Sequence, residues 1–436
     1  MNNAILFAFH FIFIGTLLGL YFKFDKNTNH RKLLIFILII KIIAGWALGC
    51  LYFFYYKDGD TIQYYLEAQK VYNKLFPSIK DYFSYAFLND YTKVGYGTTM
   101  YPTAFAFYKL MAPLYAFCGK NYWLMSMYCS LFSAIGTYNL ILTIKYLYPK
   151  FYMPTLLSTL FFPTVVLWSA GLMREPIVIG AMCFLLSMAL KFKSRVMISW
   201  WMYLLIPIFL YWVLIFKYYY FMAFVPMLFL IIISRWQFNK FILMAFSVFS
   251  FVFFIFIVQK IHLNFQLSKI FPLVVANHDG NIEFSYFSVK GRPINPQNVV
   301  LFYHLEGNAN SFLINLPKAI YSGFFLPQIT DTNKVIKIVT GFENTILFFL
   351  FLYCSCKLLY KSDYKILITK EFIWCMVMIL PLAILLPFTS PNLGSLARYK
   401  IAYLPFLSAI LIYYSGLCDF LLKLIASKNV LGIKNK

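Results

Sequence analysis

The chain has 436 residues, of which 62% are hydrophobic and only 12% are Asp, Glu, Lys or Arg, and its mean hydropathy is +0.73. Soluble domains carry about 25% charged residues, so this composition excludes a soluble globular protein. The formal net charge of +23 does not indicate nucleic-acid binding, because no nucleic-acid motif is present and Lys and Arg collect on the cytoplasmic loops of membrane proteins.

The apolar segments are about twenty residues long, the length that a membrane-spanning helix needs. Backbone groups in lipid must satisfy one another, and barrel strands would be shorter and would alternate apolar with polar residues. The sequence therefore predicts an all-α, polytopic transmembrane helix bundle that forms one domain over 1–436. The eight cysteines lie in or beside apolar segments, so we expect no extracellular disulfide framework.

Eleven spans are predicted in chain order. The first lacks a basic n-region and a small-residue cleavage site, which indicates a retained span and not a signal peptide. A further apolar segment, 99–118, contains Pro102 and Pro113, which interrupt helices, and we interpret it as interfacial or re-entrant. The predicted spans are 4–22, 33–56, 122–147, 151–170, 176–191, 198–216, 217–234, 241–258, 335–356, 371–389 and 399–422.

The basic loops fix the predicted topology. If 99–118 does not cross, every strongly basic loop lies in the cytoplasm, as the positive-inside rule requires. The N-terminus is then outside and the C-terminus inside. Loops 57–121, which includes interfacial helices, and 259–334 form an outer cap that holds most of the fifteen acidic residues.

The first polar cluster is Asp58-Gly59-Asp60, at the outer end of the second span. Two such carboxylates can hold a divalent cation, Mg²⁺ or Mn²⁺, through their oxygen atoms, or one can act as a general base. The alternative is a solvated turn that caps a helix, since Asp and Gly are common turn residues.

The second cluster, Arg174-Glu175-Pro176, falls between two apolar segments. Pro suits the first turn of a helix and Glu is favourable at a helix start, so helix capping with Arg174 as an ion-pair partner would explain both charges. The functional alternative is that both charges line a polar cavity at membrane depth, where ionisable groups are costly.

The third cluster, Arg398-Tyr399-Lys400, opens the last span on the predicted outer side, against the usual charge bias. Arg binds phosphate through a bidentate fork, which suits a lipid-linked phosphate. The alternative is that these side chains snorkel to lipid head groups.

A fourth group includes the loop 277–281 with His278 and Asp279, and Glu343 within an apolar span. A solvated loop explains the first two residues, whereas Glu343 is the more suggestive candidate. No P-loop, G-x-S-x-G or H-E-x-x-H motif is present, so nothing supports ATP hydrolysis, triad hydrolysis or zincin chemistry.

This layout resembles the GT-C superfamily of membrane glycosyltransferases and is also similar to bacterial exopolysaccharide and O-antigen polymerases. The features that carry the resemblance follow a common order along the chain, although the acidic motif follows the second span here and usually follows the first in the superfamily. They are the acidic pair at 58–60, the Pro-aromatic segment 101–105, the Gly-aromatic turn 118–123, Glu175 and the late Arg398.

The resemblance implies transfer of a sugar, with inversion, from a polyprenyl-phosphate donor to a lipid-linked or cell-surface glycan acceptor. It places this enzyme in a bacterial inner membrane with its active site on the extracytoplasmic side. Asp60 or Asp58 would be the general base, with a divalent cation as a candidate cofactor. The implied substrate-binding residues are Arg398, Arg174, Glu175, Tyr399, Lys400 and Glu343.

Two alternatives remain open. A polymerase that joins lipid-diphosphate-linked repeat units would depend more on the outer arginines than on the aspartates. A transporter or flippase for lipid-linked sugars would need charges deep within several spans and often an internal repeat. Few mid-span charges and no repeat are evident.

Overall fold

The computed structural model describes residues 3–25, 27–88, 94, 102–236, 238–239, 241–243, 245–246, 249, 267–287, 298–331, 335–361 and 369–418. Over these residues the protein is all-α, which confirms the predicted fold class. The exception to helix and loop within the described ranges is an isolated antiparallel bridge between Val299 and Asn392.

Helix α2 continues into a π-helical turn, Leu51–Tyr56. The helices are α1 Asn3–Phe24, α2 Thr28–Cys50, α3 Asp60–Leu75, α4 Ile79–Leu88, α5 Pro102–Phe117, α6 Tyr122–Leu147, α7 Pro149–Leu160, α8 Pro163–Trp168, α9 Arg174–Lys193, α10 Trp200–Phe216, α11 Tyr218–Ile233, α12 Leu267–Phe287, α13 Ala309–Phe325, α14 Val335–Lys361, α15 Lys370–Thr389, α16 Leu393–Tyr399 and α17 Leu404–Ser415.

Within the described residues, seven helices are long and apolar enough to cross a membrane, and an eighth span is formed if the bent pair 393–415 is counted. Helices α5 and α10 are apolar but shorter. This set is compatible with a multi-pass integral membrane protein. The seven are Asn3–Phe24, Thr28–Tyr56, Tyr122–Leu147, Arg174–Lys193, Tyr218–Trp236, Lys337–Tyr360 and Lys370–Thr389.

Two predicted spans are not continuous helices. The segment 151–170 breaks at 161–162, ahead of Pro163, because proline disfavours helical geometry in the residue before it. The segment 399–422 belongs to a helix pair, Leu393–Ala402 and Leu404–Ser415, that bends by 70°. Most of the predicted span 241–258 lies outside the described residues.

The chain divides into two compact units. Unit 1 contains 1–142, 166–187 and 199–218, and unit 2 contains 143–165, 188–198 and 219–436. The boundaries at 142/143, 165/166, 187/188 and 218/219 fall within α6, α8, α9 and α11.

In unit 1, α1 and α6 run in the same direction. His10 Nδ1 lies 2.8 Å from the Tyr128 hydroxyl, and the Tyr21 hydroxyl lies 3.1 Å from that of Tyr138. Contacts therefore advance along both helices together.

Helix α2 runs against α6. The Ser126 hydroxyl donates to the Gly45 carbonyl at 3.1 Å. A Cβ on Gly49 would lie 2.8 Å from the Tyr122 ring, so only glycine allows this approach. Residue numbers rise along α2 as they fall along α6, so the two helices are antiparallel.

Pro113 lies inside α5 and leaves one of its carbonyls without a helical partner. Pro113 lacks the N–H that would bond to Lys109 O, and the Tyr82 hydroxyl donates to that oxygen at 2.6 Å instead. Burial raises the pKa of Tyr82 to about 12, so the phenol remains a donor at neutral pH. The hydrogen bond connects α4 to α5 at the turn before Pro113.

In unit 2, α13 and α15 pack closely and run antiparallel. The Phe312 and Phe388 rings are 4.7 Å apart between centroids. A Cβ on Gly323 would lie 1.9 Å from the Ala383 carbonyl oxygen, a distance that no side chain allows. That carbonyl is the one whose helical partner is removed by Pro387.

Candidate functional site

The acidic pair lies where the π-helical turn passes into α3. Asp58 is exposed and its Oδ1 accepts from Gly59 N at 2.7 Å, so a turn explains this residue. Gly59 has φ of 130°, and a Cβ there would lie 2.3 Å from the Tyr52 ring. Asp60, half-buried, begins α3, where the positive end of the helix dipole favours a carboxylate.

Helix α3 brings Asp60 towards α5 and α9. Tyr64 on the buried face of α3 lies beneath Arg174, whose guanidinium carbon is 5.5 Å from the ring centroid. Tyr108 on α5 lies within electrostatic range of Glu67, Arg174 and Asp60. These five residues form what we call the unit 1 polar site. The structure thus brings two predicted site residues, Asp60 and Arg174, into one neighbourhood.

Glu175 forms a buried ion pair beside this site. Its Oε1 lies 2.8 Å from Lys217 Nζ, and the side chains are 1% and 3% exposed. Glu175 is in the first turn of α9, and Lys217 follows the last residue of α10. The Glu is stabilised by the positive end of α9 and the Lys by the negative end of α10, so the pair joins two helix ends.

The segment 169–173 before α9 is non-helical backbone anchored to its neighbours. Gly171 N donates to Ser130 Oγ at 2.8 Å, and Gly171 has φ of 82°, a left-handed conformation that favours glycine. Lys41, 1% exposed in the middle of α2, donates to the Ser169 hydroxyl. Non-helical backbone at membrane depth needs such partners, because lipid offers none.

Arg398 and Tyr399 lie in unit 2 at the end of α16. Arg398 Nη2 donates to Tyr399 Oη at 3.1 Å, and its guanidinium carbon is 5.0 Å from the centroid of that ring. Tyr220 donates to the Tyr399 carbonyl at 2.9 Å, and the Tyr219 ring packs against the Tyr399 ring. Aromatic side chains therefore hold Arg398, which is half-buried.

All three hydrogen-bond donors of the Lys400 ammonium are directed to protein oxygens. Its Nζ donates to Phe324 O at 2.9 Å, Leu326 O at 3.1 Å and Asn344 Oδ1 at 3.0 Å. An ammonium has three donors, so this set leaves none for a ligand. Lys400 is 1% exposed, and these contacts connect it to the end of α13 and to α14.

Glu343, 4% exposed, caps the start of α8 from α14. Its Oε1 accepts from Thr164 N at 2.9 Å, and its Oε2 accepts from the Thr164 hydroxyl. A carboxylate at a helix N-terminus satisfies an amide that has no intrahelical partner. Glu343 also interacts electrostatically with Lys400, so the two residues belong to one buried cluster.

The residues predicted at 277–281 lie on α12 and not in a solvated loop. His278 is 5% exposed, its Nδ1 is 3.0 Å from Asp279 Oδ1, and its ring packs near Phe302. Asn281 Nδ2 donates to Thr389 O at 2.9 Å. The helix forms because 267–275 is largely apolar and packs on α15.

The described residues contain no group of three or more His, Cys, Asp or Glu side chains arranged to hold a metal. Asp58 and Asp60 supply two carboxylates, so a Mg²⁺ or Mn²⁺ ion there would need water or substrate oxygens to complete its coordination.

Comparisons with protein-family models, curated proteins and solved structures found no match to this chain.

Sequence reasoning missed Lys41, Lys217, Tyr64 and Tyr108. The two lysines had a signal, since each is a single cation inside or between apolar segments, where ionisable groups are rare. The tyrosines had none, because they are two of 35 and only the packing of α3 on α5 distinguishes them.

Proposed function

We propose that this protein is a membrane glycosyltransferase that transfers a sugar from a polyprenyl-phosphate donor to a lipid-linked or cell-surface glycan acceptor. The observation that carries the proposal is the unit 1 polar site, where a carboxylate at a helix start and a half-buried arginine both lie near Tyr108. A base and an anion-stabilising cation are the two groups that this transfer needs.

Asp60 is the general base. Its carboxylate takes the proton from the acceptor hydroxyl, whose oxygen attacks the anomeric carbon of the donor. The bond from that carbon to the phosphate oxygen breaks, and polyprenyl phosphate leaves with the electron pair. Arg174 stabilises the phosphate charge, a large effect in a site that excludes water. A single displacement of this kind inverts the anomeric carbon.

The other predicted substrate residues divide into two sets. Arg398 and Tyr399 remain candidates for the lipid phosphate or the acceptor. Glu175, Lys400 and Glu343 contact the protein groups Lys217, Asn344 and Thr164. Asp58 remains the second candidate ligand of a divalent cation.

The proposed topology has eleven spans, an outside N-terminus and an outer cap formed by 57–121 and 259–334. The antiparallel packing of α2 on α6 supports it. If α2 ends on the outer side of the membrane and α6 begins on that side, the residues between the two helices do not cross the membrane. Segment 99–118 then stays on the outer side. The proposed active site lies on the extracytoplasmic side of a bacterial inner membrane.

The proposal is tested by sugar transfer in vesicles with a panel of polyprenyl-phosphate sugars. Asp60→Asn keeps the size and hydrogen-bonding capacity of the side chain but removes the base, and we expect a loss of about 10²- to 10⁴-fold. Asp81→Asn, a carboxylate in the first turn of α4, is the matched control. Transfer by Asp60→Asn at the wild-type rate would refute the assignment of the base.

Transfer only from lipid-diphosphate oligosaccharides, with both arginines essential and both aspartates dispensable, would support the polymerase.

A third candidate, a transporter of lipid-linked sugars, is favoured by one observation. Lys41 is a buried cation in the middle of a span and contacts the broken segment before α9, and broken helices often form transport sites. Movement of labelled lipid-linked sugar by purified protein without transfer would support that candidate.

A further inference from the structure

Two basic side chains of unit 2 lie on aromatic rings where the ends of three helices meet. Lys193 is the last residue of α9, Arg235 follows the end of α11, and Trp374 lies in the second turn of α15. Trp374 Nε1 donates to Ser234 Oγ at 3.1 Å, and the Lys193 ammonium lies 5.5 Å from the centroid of a Trp374 ring. One tryptophan therefore contacts both the helix end that carries Lys193 and the turn that carries Arg235.

Aromatic rings hold both cations in place. Lys193 Nζ donates to Tyr148 Oη at 2.7 Å and lies 5.0 Å from the centroid of that ring. The guanidinium carbon of Arg235 lies 4.4 Å from the centroid of the Phe192 ring. An aromatic face attracts a cation through its quadrupole, but it leaves the full positive charge in place. We call Lys193, Arg235, Tyr148, Phe192 and Trp374 the basic aromatic site.

The positive charge of this site exceeds what the surrounding protein neutralises. Within the described residues, neither Lys193 nor Arg235 forms an ion pair with a carboxylate. The last turn of α9 adds a third cation, Lys191, whereas the C-terminal ends of α9 and α11 each supply only about half a negative charge. In the first turn of α15, Glu371 is adjacent to Lys370, so this pair adds no net charge. A surplus of about two positive charges remains.

The hydrogen-bond donors and the position of the site match a lipid phosphate. Lys193 uses one of its three N–H donors on Tyr148, and the half-buried Arg235 offers the planar fork that binds phosphate through two hydrogen bonds. The helices Arg174–Lys193 and Tyr218–Trp236 are long and apolar enough to span a membrane. Their ends therefore lie at the depth of the lipid head groups. In the proposed topology this is the cytoplasmic leaflet, where anionic lipids attract basic residues.

We propose that the basic aromatic site binds the head group of an anionic phospholipid, whose phosphate oxygens accept hydrogen bonds from Lys193 and Arg235. Two cations on either side of one tryptophan suit a lipid with two phosphates joined through glycerol, so cardiolipin should bind more tightly than phosphatidylglycerol. This site is independent of the proposed sugar transfer, because it uses none of the residues assigned to that reaction.

The experiment is a titration of the purified full chain in detergent micelles with cardiolipin, followed by native mass spectrometry. We expect the dissociation constant of the first bound lipid to rise about tenfold in Arg235→Gln and in Lys193→Gln, because each variant loses hydrogen bonds between charged groups. Lys150→Gln is the matched control, since Lys150 is exposed in the first turn of α7. It should change the dissociation constant less than about threefold.

Thermal unfolding of each variant checks that it is folded. An unchanged dissociation constant in both folded variants would overturn the proposal. Equal affinity for phosphatidylcholine, which has no net charge, would also overturn it, since the site would then be a general lipid surface.

Inorganic phosphate separates a lipid ligand from a free phosphate. We expect an equal concentration of inorganic phosphate to leave cardiolipin bound, because the acyl chains of the lipid add apolar contacts with the helices. Complete displacement of cardiolipin would assign the site to free phosphate and overturn the lipid ligand.

Discussion

Removal of one partner from the Glu175–Lys217 pair should destabilise the protein strongly. At 2.8 Å the attraction is about 6 kcal/mol for an effective dielectric constant of about 20, and desolvation of each ion costs several kcal/mol. The two terms nearly cancel for the intact pair. In Lys217→Met the desolvation cost of Glu175 remains without its attraction, so we expect a loss of about 3–5 kcal/mol in the free energy of unfolding.

The assay is SDS-driven unfolding of purified full-length protein, followed by tryptophan fluorescence. Lys70→Met is the matched control, because Lys70 and Glu67 are 4.0 Å apart and the Lys side chain is 38% exposed. An exposed pair of this kind contributes about 0–1 kcal/mol. The control therefore measures the cost of replacing a lysine that pairs at the surface.

A double-mutant cycle with Glu175→Gln separates the pair from its surroundings. The double variant should be more stable than the sum of the single losses by about 2 kcal/mol or more, because neither buried charge is then left alone. If Lys217→Met costs no more than Lys70→Met, or if the single losses simply add, the reasoning from burial and distance is refuted.

Three further predictions use the same unfolding assay. Gly323→Ala should cost about 1–3 kcal/mol, because its Cβ would collide with a carbonyl, whereas Gly15→Ala meets nothing within 4 Å and should be neutral; equal losses would contradict the packing argument. Lys400→Met leaves Asn344 Oδ1 and two buried carbonyls without their donor and should lower the free energy of unfolding by about 3 kcal/mol or more. An unchanged free energy of unfolding would contradict the reasoning from these hydrogen bonds. Burial raises the pKa of Asp25, but hydrogen bonds from Asn27 N and His30 outweigh burial and hold that pKa below its usual value. The ionised carboxylate therefore stabilises the folded protein above about pH 4, and this stabilisation is lost as the pH falls through the folded pKa. Asp25→Asn should lack this loss at acid pH, and the same loss in the variant would contradict the prediction.

The apolar spans could be predicted because each needs only a run of hydrophobic residues. Thr28–Tyr56 and Lys370–Thr389 match the predicted 33–56 and 371–389 closely. The break at 161–162 had a local signal in Pro163, but the long apolar run concealed it. The fold class was predictable from composition, whereas the continuity of a span depends on which neighbours satisfy the freed backbone groups.

The candidate site was only partly predictable. Arg174 and Glu175 were predicted because two charges between apolar runs need a reason. Their separate roles could not be predicted, because Glu175 pairs with a lysine 42 positions later and Arg174 lies over a tyrosine 110 positions earlier. The same rule marked Lys400 and Glu343, but their partners Asn344 and Thr164 could not be predicted because only the fold brings these residues together.

The start of α9 determines where its first two charged side chains point. Successive helical residues point about 100° apart, so Arg174 can face Tyr64 while Glu175 faces Lys217. Both side chains reach their partners only if α9 begins at one rotation about its axis. The segment before it sets that rotation through the left-handed Gly171 and its hydrogen bond to Ser130. The hydrogen-bonded segment 169–173 therefore positions the guanidinium and the ion pair together.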